Sequence, residues 1–174
     1  QLLIEREAAI LSDFKPNTEP GNAAWERYYR MIYRDNYSRL DYPAALLKEA
    51  LKPDENNNEE VPDSDDSWFN SDNRSEPPAG IRFAEPLKKT DESGTTDEDT
   101  PQRLLSWMQG FEYKRTAGSD LISPLSAAAF EEGDCDSRAL LLSILLNHYG
   151  YDSAIMVSAV YSHAMGLVDM EGSG

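Results

Sequence analysis

The chain has one cysteine and two histidines. The cysteine stands in Gly133-Asp134-Cys135-Asp136-Ser137-Arg138, and an apolar run from Ala139 to Leu146 follows at once. A thiol is only slightly ionised at neutral pH, and a helix N-terminus or a neighbouring imidazole raises its thiolate fraction. Downstream, His163 follows a strand-like run from Ala154 to Tyr161. A cysteine opening a buried helix, with a histidine on a later strand, has the order of a nucleophile and its base. Cys135 is therefore read as nucleophile and His163 as general base and acid for acyl transfer at an amide carbonyl. Water as second acceptor gives a peptidase or amidase, and an amine gives a transglutaminase.

The elements that position this pair are legible nearby. Gly133 breaks the preceding segment, and Asp134 is a good N-cap, which puts Cys135 in the first helical turn. There the free backbone N–H groups and the helix dipole favour a thiolate or a developing oxyanion. The expectation is a depressed thiol pKa. Gly150, after Asn147-His148-Tyr149, is a good stop. The helix and the His163 strand are consecutive and must pack, so Cys135 and His163 are expected within hydrogen-bond reach.

Gly-Asp-Cys-Asp, a leucine-rich helix, Gly-Tyr, a strand and His-Ala occur here in that order. This arrangement resembles the bacterial transglutaminase-like superfamily of papain-type cysteine enzymes, over roughly residues 101 to 170. The resemblance implies an α+β fold with a transglutaminase-like (papain-like) core, helices packed on an antiparallel sheet, truncated at the C-terminus. It implies a cysteine peptidase or amidase, acting on a protein or peptide, with no cofactor and no metal. It also implies a third residue, an Asp on the strand after the histidine strand, to orient the imidazole. Asp169 is the one Asp between His163 and Gly174. Six residues of strand carry its Cα about 20 Å from that of His163. The third member is therefore expected beyond the chain end, with Asp169 as the fallback. The competing class is a non-catalytic interaction module that retains the fold.

Blander roles also suit the same residues. Asp134 and Asp136 suit a cap and a first-turn acid better than a metal site. Arg138 is placed to pair with Asp134 on its helix face. His148 reads as a capping or surface group. Cys135, His163 and Asp169 lack the spacing of a zinc site.

Charge and composition bound the partners. A net charge of −16 over 174 residues argues against nucleic acid, whose phosphates need clustered Lys and Arg. No apolar run approaches a membrane span. A single cysteine excludes an internal disulfide. An extracytoplasmic or periplasmic setting is expected, with any targeting segment absent from the chain, which starts at Gln1.

Three regions are expected. Residues 1–52 form a helical region, with helices over 1–13, from about Asn22 to Leu40, and from Asp41-Tyr42-Pro43, with Pro43 near the first turn, to before Pro53. Trp25, Tyr28, Tyr29 and Ile32 share one face of the second helix, a pattern of packing before ligand binding. Residues 53–100 hold fifteen Asp and Glu against four Lys and Arg, which is −11 of the total −16. They read as an acidic linker or mobile insertion, with Trp68-Phe69 and Ile81-Arg82-Phe83 as apolar islands that could dock on a partner protein or on the chain itself. Residues 101–174 form the catalytic core. It opens on Thr100-Pro101 as cap and first-turn proline, with Leu104, Leu105, Met108 and Phe111 on one helix face.

Overall fold

Caps and periodicity decide the helices. The computed structural model describes residues 2–11, 13–15, 18–51, 80–82, 100–115, 121–158 and 161–169. Helix α1 spans Leu2–Leu11 and α2 spans Glu19–Tyr37. The Thr18 hydroxyl caps α2 by accepting from the Gly21 N–H, and Pro20 sits in its first turn. A 3₁₀ turn over Ser38–Leu40 leads into α3, Asp41–Ala50. Helix α4 spans Thr100–Gln109 and α5 spans Pro124–Phe130, the latter capped by Ser123. Helix α6 is Cys135–His148, and its cap is Asp134, whose carboxylate accepts from the Ser137 N–H at 2.9 Å. Gly150 follows at φ 90°, a conformation that costs glycine nothing and ends the helix.

The class is α+β. Strands β1 (Gly80–Arg82), β4 (Ser153–Ser158) and β5 (His163–Val168) form an antiparallel sheet in the order β1-β4-β5. Strands β2 (Glu112–Tyr113) and β3 (Glu132–Gly133) form a short parallel pair. That pair fixes the entry to α6, because β3 runs directly into the Asp134 cap. The Gly133 carbonyl accepts from the Lys114 N–H, and the Lys114 ammonium meets the Glu132 carboxylate at 2.8 Å.

Most of the acidic stretch 53–100, Trp68-Phe69 included, lies outside the described residues. One part of it does not: Gly80–Arg82 pairs with Ala154–Met156 of β4. Ile81 and Arg82 of the second apolar island thus lie in a strand of the chain's own sheet, where the sequence alone reads a linker.

Helix α6 is the shared wall of two cores. On one side Ala139 and Leu140 meet Tyr28, Tyr29 and Ile32 of α2 and Ile155 and Ala164 of the sheet. On the other Leu141, Ile144, Leu145 and Leu146 meet Leu40, Ala44, Leu104, Met108 and Phe111. A helix apolar on all sides must be covered on all sides, which is why the chain wraps it with α2, α3, α4, α5 and the sheet. The approach to β5 is close: a Cβ on Gly166 would stand 2.9 Å from Leu142 Cδ2, so that the leucine side chain would have to shift.

Among the described residues, no helix is long and apolar enough to cross a membrane.

Candidate active site

Cys135 is the first residue of α6 and half-buried against the α2 and sheet side of the core. Its sulfur lies 3.9 Å from Asp136 Oδ1, and the backbone N–H groups of Ala164 and Asp136 approach it. The Ala164 contact can be placed on the ladder of β5. Just past the strand, Asp169 donates its N–H to the Asp152 carbonyl at 2.8 Å. In an antiparallel pair alternate residues bond inward, so His163, Met165 and Leu167 bond to β4 and Ala164, Gly166 and Val168 present their N–H groups to the other edge. The Ala164 N–H is thus free to meet the thiol.

The same alternation sets the side chains. Ala164 is buried, Gly166 and Val168 are half-buried, and His163, Met165 and Leu167 are exposed. Among the described residues no hydrogen bond joins Cys135 to His163, contrary to the expectation from packing alone. Consecutive elements do pack here, but the residue that the strand turns toward α6 is Ala164. Ser162, at φ 48°, holds a left-handed conformation immediately before His163.

The electrostatics also depart from the dipole argument. Burial pushes the Cys135 thiol above its ordinary value. The Ala164 and Asp136 N–H groups oppose this, while the Asp136 and Asp134 carboxylates add to it. A helix N-terminus is therefore outweighed by burial and two flanking acids. Asp136 is itself raised, first by burial and then by Asp134. The Tyr29 hydroxyl, His163 and Arg115 work the other way, favouring its charged form.

Tyr29 is the residue beside the candidate site that sequence reasoning missed. It is 1% exposed, on α2, and its hydroxyl faces the Asp136 carboxylate. Burial and that carboxylate hold its phenol far above the ordinary range. Its place on the aromatic stripe announces packing, and it does pack, edge-on to Tyr28 and tilted against Trp25. Nothing local signals where its hydroxyl ends up.

The remaining candidates fall elsewhere. Asp169 is exposed at the opposite end of β5 from His163, and the two are not brought together. Arg138 does not pair with Asp134. Its guanidinium donates to the carbonyls of Gly133 at 3.1 Å and Phe111 at 2.8 Å and lies over the Phe111 and Tyr113 rings. It clamps the β2–β3 approach to the site. His148 braces α2 rather than capping α6, with its Nε2–H donating to the Tyr37 carbonyl at 3.0 Å. Among the described residues no group of three or more His, Cys, Asp and Glu is arranged to hold a metal ion.

No protein-family model, no curated protein and no solved structure matches this chain.

Proposed function

We propose that the chain carries a thiol acyl-transfer centre of transglutaminase-like type, a cysteine peptidase or amidase with Cys135 as nucleophile and His163 as base. The observation that carries this reading is the seat of the sulfur. It lies at the first residue of α6, against the strand that opens with His163, and meets the N–H of the very next residue, Ala164.

The raised thiol sets the form of the mechanism. A thiol held neutral by burial and two carboxylates reacts by general-base catalysis, not from a pre-formed thiolate. The imidazole of His163 turns on to Sγ–H, a rotamer change open to an exposed side chain on a picosecond to nanosecond scale. It takes the thiol proton as sulfur attacks the amide carbonyl carbon and forms an S–C bond. The carbonyl oxygen becomes an oxyanion beside the Asp136 and Ala164 N–H groups. The imidazolium then gives its proton to the leaving nitrogen, the C–N bond breaks, and a thioester remains. Water attacks the thioester carbonyl, its proton passing to the imidazole. The C–S bond breaks, the thiolate recovers the proton, and a carboxylic acid leaves. An amine in place of water gives a new amide instead.

The second reading is an interaction module that retains the fold without turnover. It is favoured by the elevated thiol and by the lack of a Cys135–His163 hydrogen bond among the described residues.

Reaction with p-nitrophenyl acetate decides between them. Acyl transfer to sulfur releases one nitrophenol per chain in a burst, with a mass adduct on Cys135. A base in place then sustains a steady phase as water clears the thioester. Cys135→Ala is expected to lose both phases, and fluorogenic peptide amides should be cleaved with the same dependence. A wild-type chain that acylates once and never turns over is the module.

A further inference from the structure

Helix α6 turns its second side, away from Cys135, toward α3, α4 and α5. Among the described residues that covering leaves a cleft of about 340 Å³. Its walls are α3 on one side and α4 and α5 on the other, and buried Leu145 of α6 lies at its floor. Leu46, 54% exposed, belongs to the α3 wall. Of the described residues that line the cleft, Glu131 alone carries a charge. Its carboxylate is held in place. Oε1 accepts from the Trp107 indole N–H at 3.4 Å, and the Trp107 ring is itself set edge-on to Phe111. Glu131 also holds φ 51°, where glycine would be unstrained, so this side chain stands there at a cost to the backbone.

The geometry points to a binding site for a small organic cation, a hydrophobic primary amine. Its apolar body lies against Leu46, Leu47 and Trp107, and its ammonium meets the Glu131 carboxylate. Size and lining select a small molecule. The volume is at the lower end of the range for such sites, and an apolar wall with very few polar groups is their usual form. A partner helix would bring further polar groups to a wall that offers them a single carboxylate. Charge selects the cation. The chain's own Trp68-Phe69 is flanked by Asp65, Asp66 and Asp72, and a second copy carries a net −16. Either would set like charge against Glu131. The same net charge draws small cations toward the surface. The cleft and Cys135 lie on different sides of α6, so this site stands whether or not the thiol transfers acyl groups.

The probe is n-hexylamine, added to the full chain labelled with fluorotryptophan and followed by fluorine NMR. Trp107→Phe identifies the Trp107 signal. The titration is run at about 150 mM salt, where long-range attraction is screened. The amine should shift the Trp107 signal saturably. Hexan-1-ol has the same chain without the charge and should bind about threefold to tenfold more weakly. Hexanoate should leave the signal in place. Glu131→Gln, at an exposed position, should bring the amine down to the affinity of the alcohol. Ala50→Phe, at an exposed position of the lining, should fill the cleft and abolish both shifts with the urea midpoint unchanged. Leu105→Ser, exposed on α4 and outside the cleft, should leave both shifts intact. The site is overturned if no saturable shift appears, if amine and alcohol bind equally, or if the amine binds Glu131→Gln as it binds the wild type. It is equally overturned if, without probe, the Trp107 signal moves in Trp68→Ser or with protein concentration. The occupant is then the chain's own segment or a second copy.

Discussion

The chain's two histidines occupy opposite kinds of place. His148 closes α6 with its side chain 11% exposed. Its ring stacks on Tyr37 at 4.2 Å, one nitrogen reaches the Tyr37 carbonyl, and the other lies 3.5 Å from Asp41 Oδ1. Tyr149 adds a bond from its hydroxyl to the Ala44 carbonyl at 2.7 Å, so the last turn of α6 is tied to both α2 and α3. His163 is exposed at the start of β5, and among the described residues no hydrogen bond holds it. One imidazole is spent on geometry, and the other keeps its nitrogens free. A proton carrier must leave and retake a position, so a braced histidine is the worse candidate even when it is better ordered.

This contrast breaks cleanly by mutation. His163→Ala should leave stability within about 0.5 kcal/mol, as exposed substitutions usually do. It should lower steady turnover of p-nitrophenyl acetate by a hundredfold to ten-thousandfold, about what a general base supplies. His148→Ala should do the reverse. Losing a carbonyl partner and a stacked ring costs about 1–2 kcal/mol in urea unfolding, with turnover per folded chain unchanged. Equal loss of turnover in both variants would end the distinction.

The framework end should matter to both. Leu140, fully buried, lies between α2 and the sheet. Leu140→Ala should cost about 2–5 kcal/mol by loss of transfer energy and the cavity left behind. Because α6 serves two cores, the destabilisation should reach the His148 brace and the Cys135 seat together, as one unfolding transition by tryptophan fluorescence and by alkylation of the single thiol. Two separate transitions would mean that the cores melt independently.

The framework was more legible in the sequence than the site. The cap at Asp134 and the stop at Gly150 are local signals. Helices α2 and α6 are legible from apolar spacing to within a few residues, although α2 starts three residues earlier than Asn22 and gives way to a 3₁₀ turn at Ser38, while α5 falls in a stretch that reads as a loop with a turn at Ser123-Pro124-Leu125. What escaped was non-local. Strand β1 hides in an acidic stretch because three residues carry no period and owe their extended form to β4. The Arg138 partner at Phe111 is a backbone carbonyl 27 residues away, and no side chain there advertises it. Tyr29 was visible as a packing residue, but a hydroxyl's partner is set by tertiary placement. The thiol direction failed for a quantitative reason. A helix N-terminus contributes a partial charge, while burial and two whole charges oppose it.

That failure leads to the smallest and most discriminating test, at Asp134. This residue does two things at once. Its carboxylate caps α6, accepting from the Ser137 N–H at 2.9 Å and from the Ser137 hydroxyl at 2.6 Å. Its charge also raises the Cys135 thiol. Asp134→Ala removes both and should cost about 1 kcal/mol, the ordinary worth of a cap. Asp134→Asn keeps the acceptor, so most of that stability should remain, while the charge is gone. In the wild type the iodoacetamide midpoint of Cys135 should lie above the free-thiol value of about 8.5. In both variants it should move down toward that value, because removing a nearby negative charge favours the thiolate. The linkage follows in sign. The folded thiol binds its proton more tightly than the unfolded one, so its contribution to stability is complete below the unfolded thiol range. It is lost as pH rises through the folded value. Removing the charge at Asp134 should narrow that loss. A wild-type midpoint below about 8.5 would instead restore the dipole as the dominant influence and make Cys135 a pre-formed thiolate.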